Sequence, residues 1–161
     1  MLYLIIRSAV LVIVTLLAAY QDWKHYKIPN ELLAIGGAIG FAFSTSLEEV
    51  LYKALGIIFL YFFGMLRLMG MGDLKLWMVI VSFIRFTDSC IIIALAAFFL
   101  ILYALIRDTK EARRAIRLSI WEITHLKKVQ AFEQKGYAFA PFVFVITLLY
   151  VSTVIGRAMI H

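Results

Sequence analysis

The sequence predicts an all-α, polytopic membrane protein with about six transmembrane helices, and three observations lead there. First, 64% of the 161 residues are hydrophobic and only 16% are charged, where an ordinary soluble domain is about 45–50% apolar. A soluble fold of this length exposes too much surface to hide that much apolar side chain. Second, the apolar residues gather in runs close to the roughly 20 residues a helix needs to cross a bilayer. Third, the runs are continuous, whereas membrane strands alternate apolar and polar positions. A single cysteine, Cys90, excludes a disulfide scaffold.

The runs are Leu2 to Tyr20, Glu31 to Ser46, Val50 to Met69, Leu74 to Phe86, Ser89 to Ile106 and Tyr137 to Ile155. The second and fourth are short for a full crossing, and the fourth meets the fifth through Arg85, Phe86, Thr87 and Asp88. Together they form one transmembrane domain, residues 1–161. A cleaved signal peptide is the rival reading of the first run, with Leu17, Ala18 and Ala19 as its small-residue end. Signal peptides carry their positive charge ahead of the apolar run, and here Lys24, His25 and Lys27 follow it.

Lysines and arginines exceed acids by 16 to 10 and sit between the apolar runs instead of forming one basic face. No nucleic-acid partner is expected; membrane lipid is. With the amino terminus outside, one face receives Lys24, Lys27, Arg67, Lys75 and the eight cations from Arg107 to Lys135. The other receives Arg7, Lys53, Arg85 and Arg157, with the acids Glu48 and Glu49. The positive-inside rule makes the richer face cytoplasmic, so both termini of a multi-pass protein of the cell membrane (cytoplasmic or inner membrane) are expected outside. The one sizeable loop, about 107–136, repeats Ile116, Ile120, Ile123 and Leu126 at helical spacing among its cations. It reads as an amphipathic helix on the anionic cytoplasmic leaflet, with substrate docking as the alternative.

Ionisable groups at the edge of membrane segments are the informative ones. Asp22 directly follows the first run, in Gln21-Asp22-Trp23-Lys24-His25-Tyr26-Lys27-Ile28-Pro29-Asn30, and Asp73 directly precedes the fourth, in Gly70-Met71-Gly72-Asp73-Leu74-Lys75. The topology brings both to the cytoplasmic boundary. Two carboxyls within hydrogen-bonding distance cannot both ionise cheaply, so one remains an acid while the other is a base. Such a pair can activate water against a peptide carbonyl with no metal and no covalent intermediate. Gly70 and Gly72 would let the backbone leave the helical region and approach a substrate strand. Asp73 would open a helix, whose dipole favours a carboxylate, while Asp22 would follow the carboxyl end of one. Pro29 bars a continuous helix through Ile28, and Asn30 is the expected cap of the second span.

At these residues the chain resembles the type IV prepilin peptidase family of membrane aspartyl proteases. The family pattern is an Asp followed by an Ile-Pro-Asn turn after one helix, then Gly-x-Gly-Asp-x-Lys at the start of another. Asp22 with Ile28-Pro29-Asn30, and Gly70, Gly72, Asp73 and Lys75, match it position by position. Tyr137 to Phe142 resembles the proline-containing start of the family's last helix. The resemblance implies a GxGD-type core with Asp22 and Asp73 as the catalytic pair. It also implies a prepilin-like substrate cut on the cytoplasmic side, and Pro141 interrupting the last helix beside the site. The larger members also methylate the new amino terminus and carry a cysteine-rich insertion. One cysteine in 161 residues leaves no room for that insertion and no thiolate set for zinc. The chain is similar to the short, peptidase-only branch of the tight-adherence or Flp type, and neither methyltransferase activity, a metal nor another cofactor is expected.

Two other classes remain open at this point. In a small cation or proton-coupled carrier, Asp22 and Asp73 would bind the ion or relay protons. In a non-catalytic assembly subunit, the basic loop would recruit a partner. The other polar residues read as structural: Asp88 in a turn ion pair with Arg85, Cys90 as a small buried side chain, and His25, His125 and His161 as scattered. Lys75 either steadies Asp73 or serves topology alone.

Overall fold

The computed structural model describes residues 2–65, 69–107 and 138–160. Six helices follow in chain order: α1 (Leu2–His25), α2 (Asn30–Ala42), α3 (Leu47–Met65), α4 (Met71–Phe83), α5 (Phe86–Arg107) and α6 (Ala140–Ile160). Among the described residues there is no strand, so the chain is an all-α polytopic membrane protein. The predicted loop beyond Arg107 lies outside the described residues, as do Tyr137, Arg67, His125 and His161.

Leu2–His25, Phe86–Arg107 and Ala140–Ala158 are long and apolar enough to cross a bilayer. α3 has 19 residues but carries Glu48, Glu49 and Lys53. α2 and α4 have 13 residues each. At 1.5 Å per residue they rise about 20 Å, short of a hydrocarbon layer of roughly 30 Å.

Local chemistry explains where the helices end. α1 continues past the apolar run to His25 and stops where Tyr26 takes a left-handed backbone, with φ of 50°. Pro29, at φ −61° and ψ 132°, then precedes α2. Ser46 starts α3 earlier than the apolar run, because its hydroxyl accepts the Glu49 N–H at 3.1 Å, the hydrogen bond of an N-cap serine. The break between α4 and α5 falls at Ile84 and Arg85, with Ile84 extended at φ −124° and ψ 174°.

α4 is the hub. It packs against α1, α2, α3 and α5, while α1 packs most extensively on α6, and α5 also lies against α6. The five consecutive residues Val79 to Phe83 are all buried, as expected of a helix that is apolar all round and surrounded by protein. The main core joins Leu11, Val14, Ala18 and Ala19 of α1 to Leu76, Ile80 and Phe83 of α4 and to Val143 and Ile146 of α6.

Polar links hold the end of the bundle remote from the motifs. Glu49 accepts from Arg7 at 3.0 Å and pairs with Lys53 at 3.0 Å, and its other oxygen accepts the Thr45 N–H. Lys53, 3% exposed, also donates to Ser44 Oγ. Arg7 stands 15 residues before Asp22 on the same helix, so about 22 Å separates this cluster from the acidic motifs along α1. Asp88 accepts a hydrogen bond from Tyr150 at 2.9 Å, and among the described residues no ion pair joins it to Arg85. This corrects the turn pair expected from their spacing, since the tyrosine on α6 packs against α5 and reaches the carboxyl first. Cys90 is only half-buried.

Close approach of α2 to α4 depends on glycine. A Cβ at Gly40 would stand 2.7 Å from Ser82 Cβ and 2.9 Å from Phe83 Cδ2. Gly36, one turn earlier, faces Val14 and Val79 in the same way. Small residues are the general means of bringing membrane helices together. Gly40→Ala is therefore expected to destabilise the bundle by about 1–3 kcal/mol through overpacking. Thermal unfolding in detergent checks this, with Gly37→Ala as reference, because a Cβ at Gly37 meets nothing within 4 Å.

Candidate active site

Asp22 owes its direction to helical period. The buried positions of α1 are Leu11, Val14, Thr15, Ala18, Ala19 and Asp22, a stripe at i, i+3, i+4 and i+7 spacing. Asp22 is the last member of that stripe, so its carboxyl enters the bundle and is 7% exposed. Its Oδ2 accepts the main-chain N–H of Ala140 at 2.9 Å, across 118 positions of sequence. Asp22 therefore does not lie beyond the carboxyl end of a helix, as the apolar run suggested. It sits in the last turn of α1 and faces the amino end of α6.

Asp73 is the third residue of α4. Gly70 precedes the helix in extended backbone, φ −60° and ψ 138°, and its carbonyl accepts the Leu74 N–H at 3.0 Å. The Asp73 side chain is half-buried and lies within electrostatic reach of Asp22. Contact between α1 and α4 is what brings the two acids to one locality.

The residues around them differ in detail from what the motifs suggested. Asn30 is the first residue of α2, and no side-chain bond caps that helix. Its Oδ1 instead accepts from Lys75 Nζ at 2.8 Å, so Lys75 reaches across to the other motif and ties the start of α2 to α4. Ile28 is buried in the main core and anchors the turn. Pro141 is the second residue of α6. It does not interrupt that helix, because proline fits the first turn, where an N–H has no intrahelical acceptor. Beside the Lys75–Asn30 bridge an open apolar cleft of about 440 Å³ runs between α2 and α4, lined by Leu33, Gly37, Phe41, Met78 and Val79 with Ile57 of α3. His25 is exposed. Among the described residues no three His, Cys, Asp or Glu side chains are grouped to hold a metal.

Gly70 is needed for space and not for backbone freedom, since its dihedral angles suit any residue. A Cβ there would stand 3.0 Å from Asp73 Oδ2. The terminal oxygen of a side chain yields easily, so the cost falls on geometry and not on stability. On the catalytic role that the resemblance implies for Asp73, Gly70→Ala is expected to leave the unfolding midpoint unchanged while lowering kcat by about 10- to 100-fold, as reacting groups moved by a fraction of an ångström do. A Cβ at Gly72 meets nothing within 4 Å, so this position lies open beside Asp73.

Sequence reasoning did not single out Ala140. Its contribution is a backbone N–H, which every residue except proline carries, and the neighbouring Pro141 was the nearest signal.

A model of the type IV leader peptidase family matches residues 9–105, more than half of the chain and a stretch that includes Asp22, Asp73 and the motifs around them. No curated protein and no solved structure matches the chain. With both acidic segments inside the matched region and an all-helical membrane fold around them, the chain belongs to the type IV leader peptidase family, a family of peptidases.

Proposed function

We propose that this protein is a membrane aspartyl endopeptidase that removes the leader peptide of type IV prepilin-like precursors at the cytoplasmic face of the cell membrane. The observation that carries the reading is the convergence of the two acidic segments. α1, which carries Asp22, packs against α4, which carries Asp73, and Asn30 and Lys75, one from each segment, share a hydrogen bond.

In this reading Asp22 and Asp73 hold one proton between them. The ionised carboxyl takes a proton from a water molecule, whose oxygen attacks the scissile carbonyl carbon. The protonated carboxyl donates to the developing oxyanion, and the C–N bond then breaks as the leaving amine is protonated. Gly70 leaves room for the Asp73 carboxyl, and Gly72 leaves space for an extended substrate segment. Ile28, Pro29, Asn30 and Lys75 fix the turn and the helix start that face each other, and Pro141 sets the start of α6. Both termini lie outside, lipid is the surrounding partner, and the product amino terminus stays unmethylated, as in the short branch serving Flp-type pili.

The test is leader release from a purified pilin precursor by the protein in detergent, with a methyl donor present. Release of the leader without methylation of the product supports the reading. A folded wild-type protein that releases nothing, or a product that gains a methyl group, counts against it.

A further inference from the structure

A helix leaves its first backbone N–H groups without intrahelical acceptors, and three positions at the start of α6 show how this end is arranged. Pro141 has none to offer. Phe142 and Val143 both donate to the Phe139 carbonyl, at 3.0 and 3.3 Å. The N–H of Ala140 belongs to a residue with no solvent exposure. A buried N–H of this kind requires a partner, and it has one in Asp22 Oδ2. A buried donor at the amino end of α6 thus meets an acid of the proposed catalytic pair.

We propose that the main-chain N–H of Ala140 is the positioning group of that pair. It fixes Asp22 Oδ2 and thereby leaves Oδ1 as the oxygen that addresses water and Asp73. The role rests on the hydrolytic reading above and adds a component to it. Without this bond the carboxyl of Asp22 is free to turn about its side-chain torsions. With it, the carboxyl plane is set by the packing of α1 on α6, the most extensive helix contact in the bundle. A base must be held within hydrogen-bond reach of the proton it takes, and loss of that alignment slows turnover without loosening substrate binding. Pro141 serves the arrangement by removing the N–H next to the one that is used.

Two variants delete the donor. Ala140→Pro does so with a residue whose ring suits the first helical position, and an amide-to-ester replacement at position 140 puts an oxygen in place of the N–H without changing the side chain. Both are expected to lower kcat by about 10- to 100-fold with KM within about twofold of the wild type. The conservative Ala140→Gly, which keeps the N–H, is expected to recover the rate. Amide hydrogen exchange at Ala140, read without substrate, is expected to be slow in the wild type and in Asp22→Asn and fast in Asp22→Ala. A kcat within twofold of wild type in both donor-deleted variants overturns the role. So does a raised KM with unchanged kcat, which would make the helix end a substrate contact. Rapid exchange at Ala140 in the wild type overturns it as well. A wild type that cleaves no precursor removes the hydrolytic reading and this role together, whereas an active wild type whose donor-deleted variants turn over normally removes this role alone.

Discussion

Exchanging Asp22 and Asp73 for asparagine together is expected to cost no more activity than exchanging either one. Each single change should lower kcat for leader release by about 10³- to 10⁴-fold, toward the upper range of what positioned proton transfer supplies. The reason is that the two carboxyls do one job between them. An amide at either position removes the ionisable partner, and the surviving acid then has no group with which to exchange the proton. Residues that act as such a unit are strongly non-additive, so the second loss has little left to remove. Asparagine matches aspartate in shape and keeps an acceptor oxygen for the Ala140 N–H, so the fold should survive in all three variants. Initial rates for the wild type, the two single variants and the double variant decide the matter. Losses that multiply would mean that each acid works alone, for example as one of two separate ion-binding groups in a carrier.

How much of this was legible in the sequence depends on which physical signal a residue carries. The helical class followed from the length and continuity of the apolar runs, because only helices and closed barrels satisfy their backbone inside lipid and barrel strands alternate apolar and polar residues. Helix ends were less visible. Lipid-facing and core-facing residues of α1 are equally apolar, so nothing in composition marked the continuation to His25, which moved Asp22 from a turn into the last turn of a helix. Ser46 was a readable signal, since a serine three residues before Glu49 is the pattern of a helix start. The acids themselves were legible as charges at membrane edges. Their supporting contacts were not. The Lys75–Asn30 bond depends on how α2 leans on α4, which is set by the absence of side chains at Gly36 and Gly40. The Asp22–Ala140 bond uses main chain, which leaves no mark in a string of side chains.

That main-chain bond also gives Asp22 a structural duty that Asp73 lacks, and the two sites should separate in stability as clearly as they coincide in activity. Asp22 acts as a cap on α6 from another helix: its Oδ2 accepts the N–H of Ala140, the first residue of α6. Asp22→Ala leaves that donor buried and unpaired, since Ala140 has no exposure to water. Leaving a buried donor unmet costs about 1–3 kcal/mol. Asp22→Asn keeps an oxygen in place and should retain most of that stability while losing catalysis. At Asp73 the side chain is half-buried, and among the described residues it forms no hydrogen bond, so Asp73→Ala and Asp73→Asn should unfold at similar temperatures. Thermal unfolding in one detergent at one pH, run on the four single variants, gives the comparison. Asp22→Ala should fall clearly below Asp22→Asn, with the two Asp73 variants together. Equal midpoints for Asp22→Ala and Asp22→Asn would mean that the Ala140 N–H finds another acceptor, and that the seating of α6 does not depend on the acid it faces.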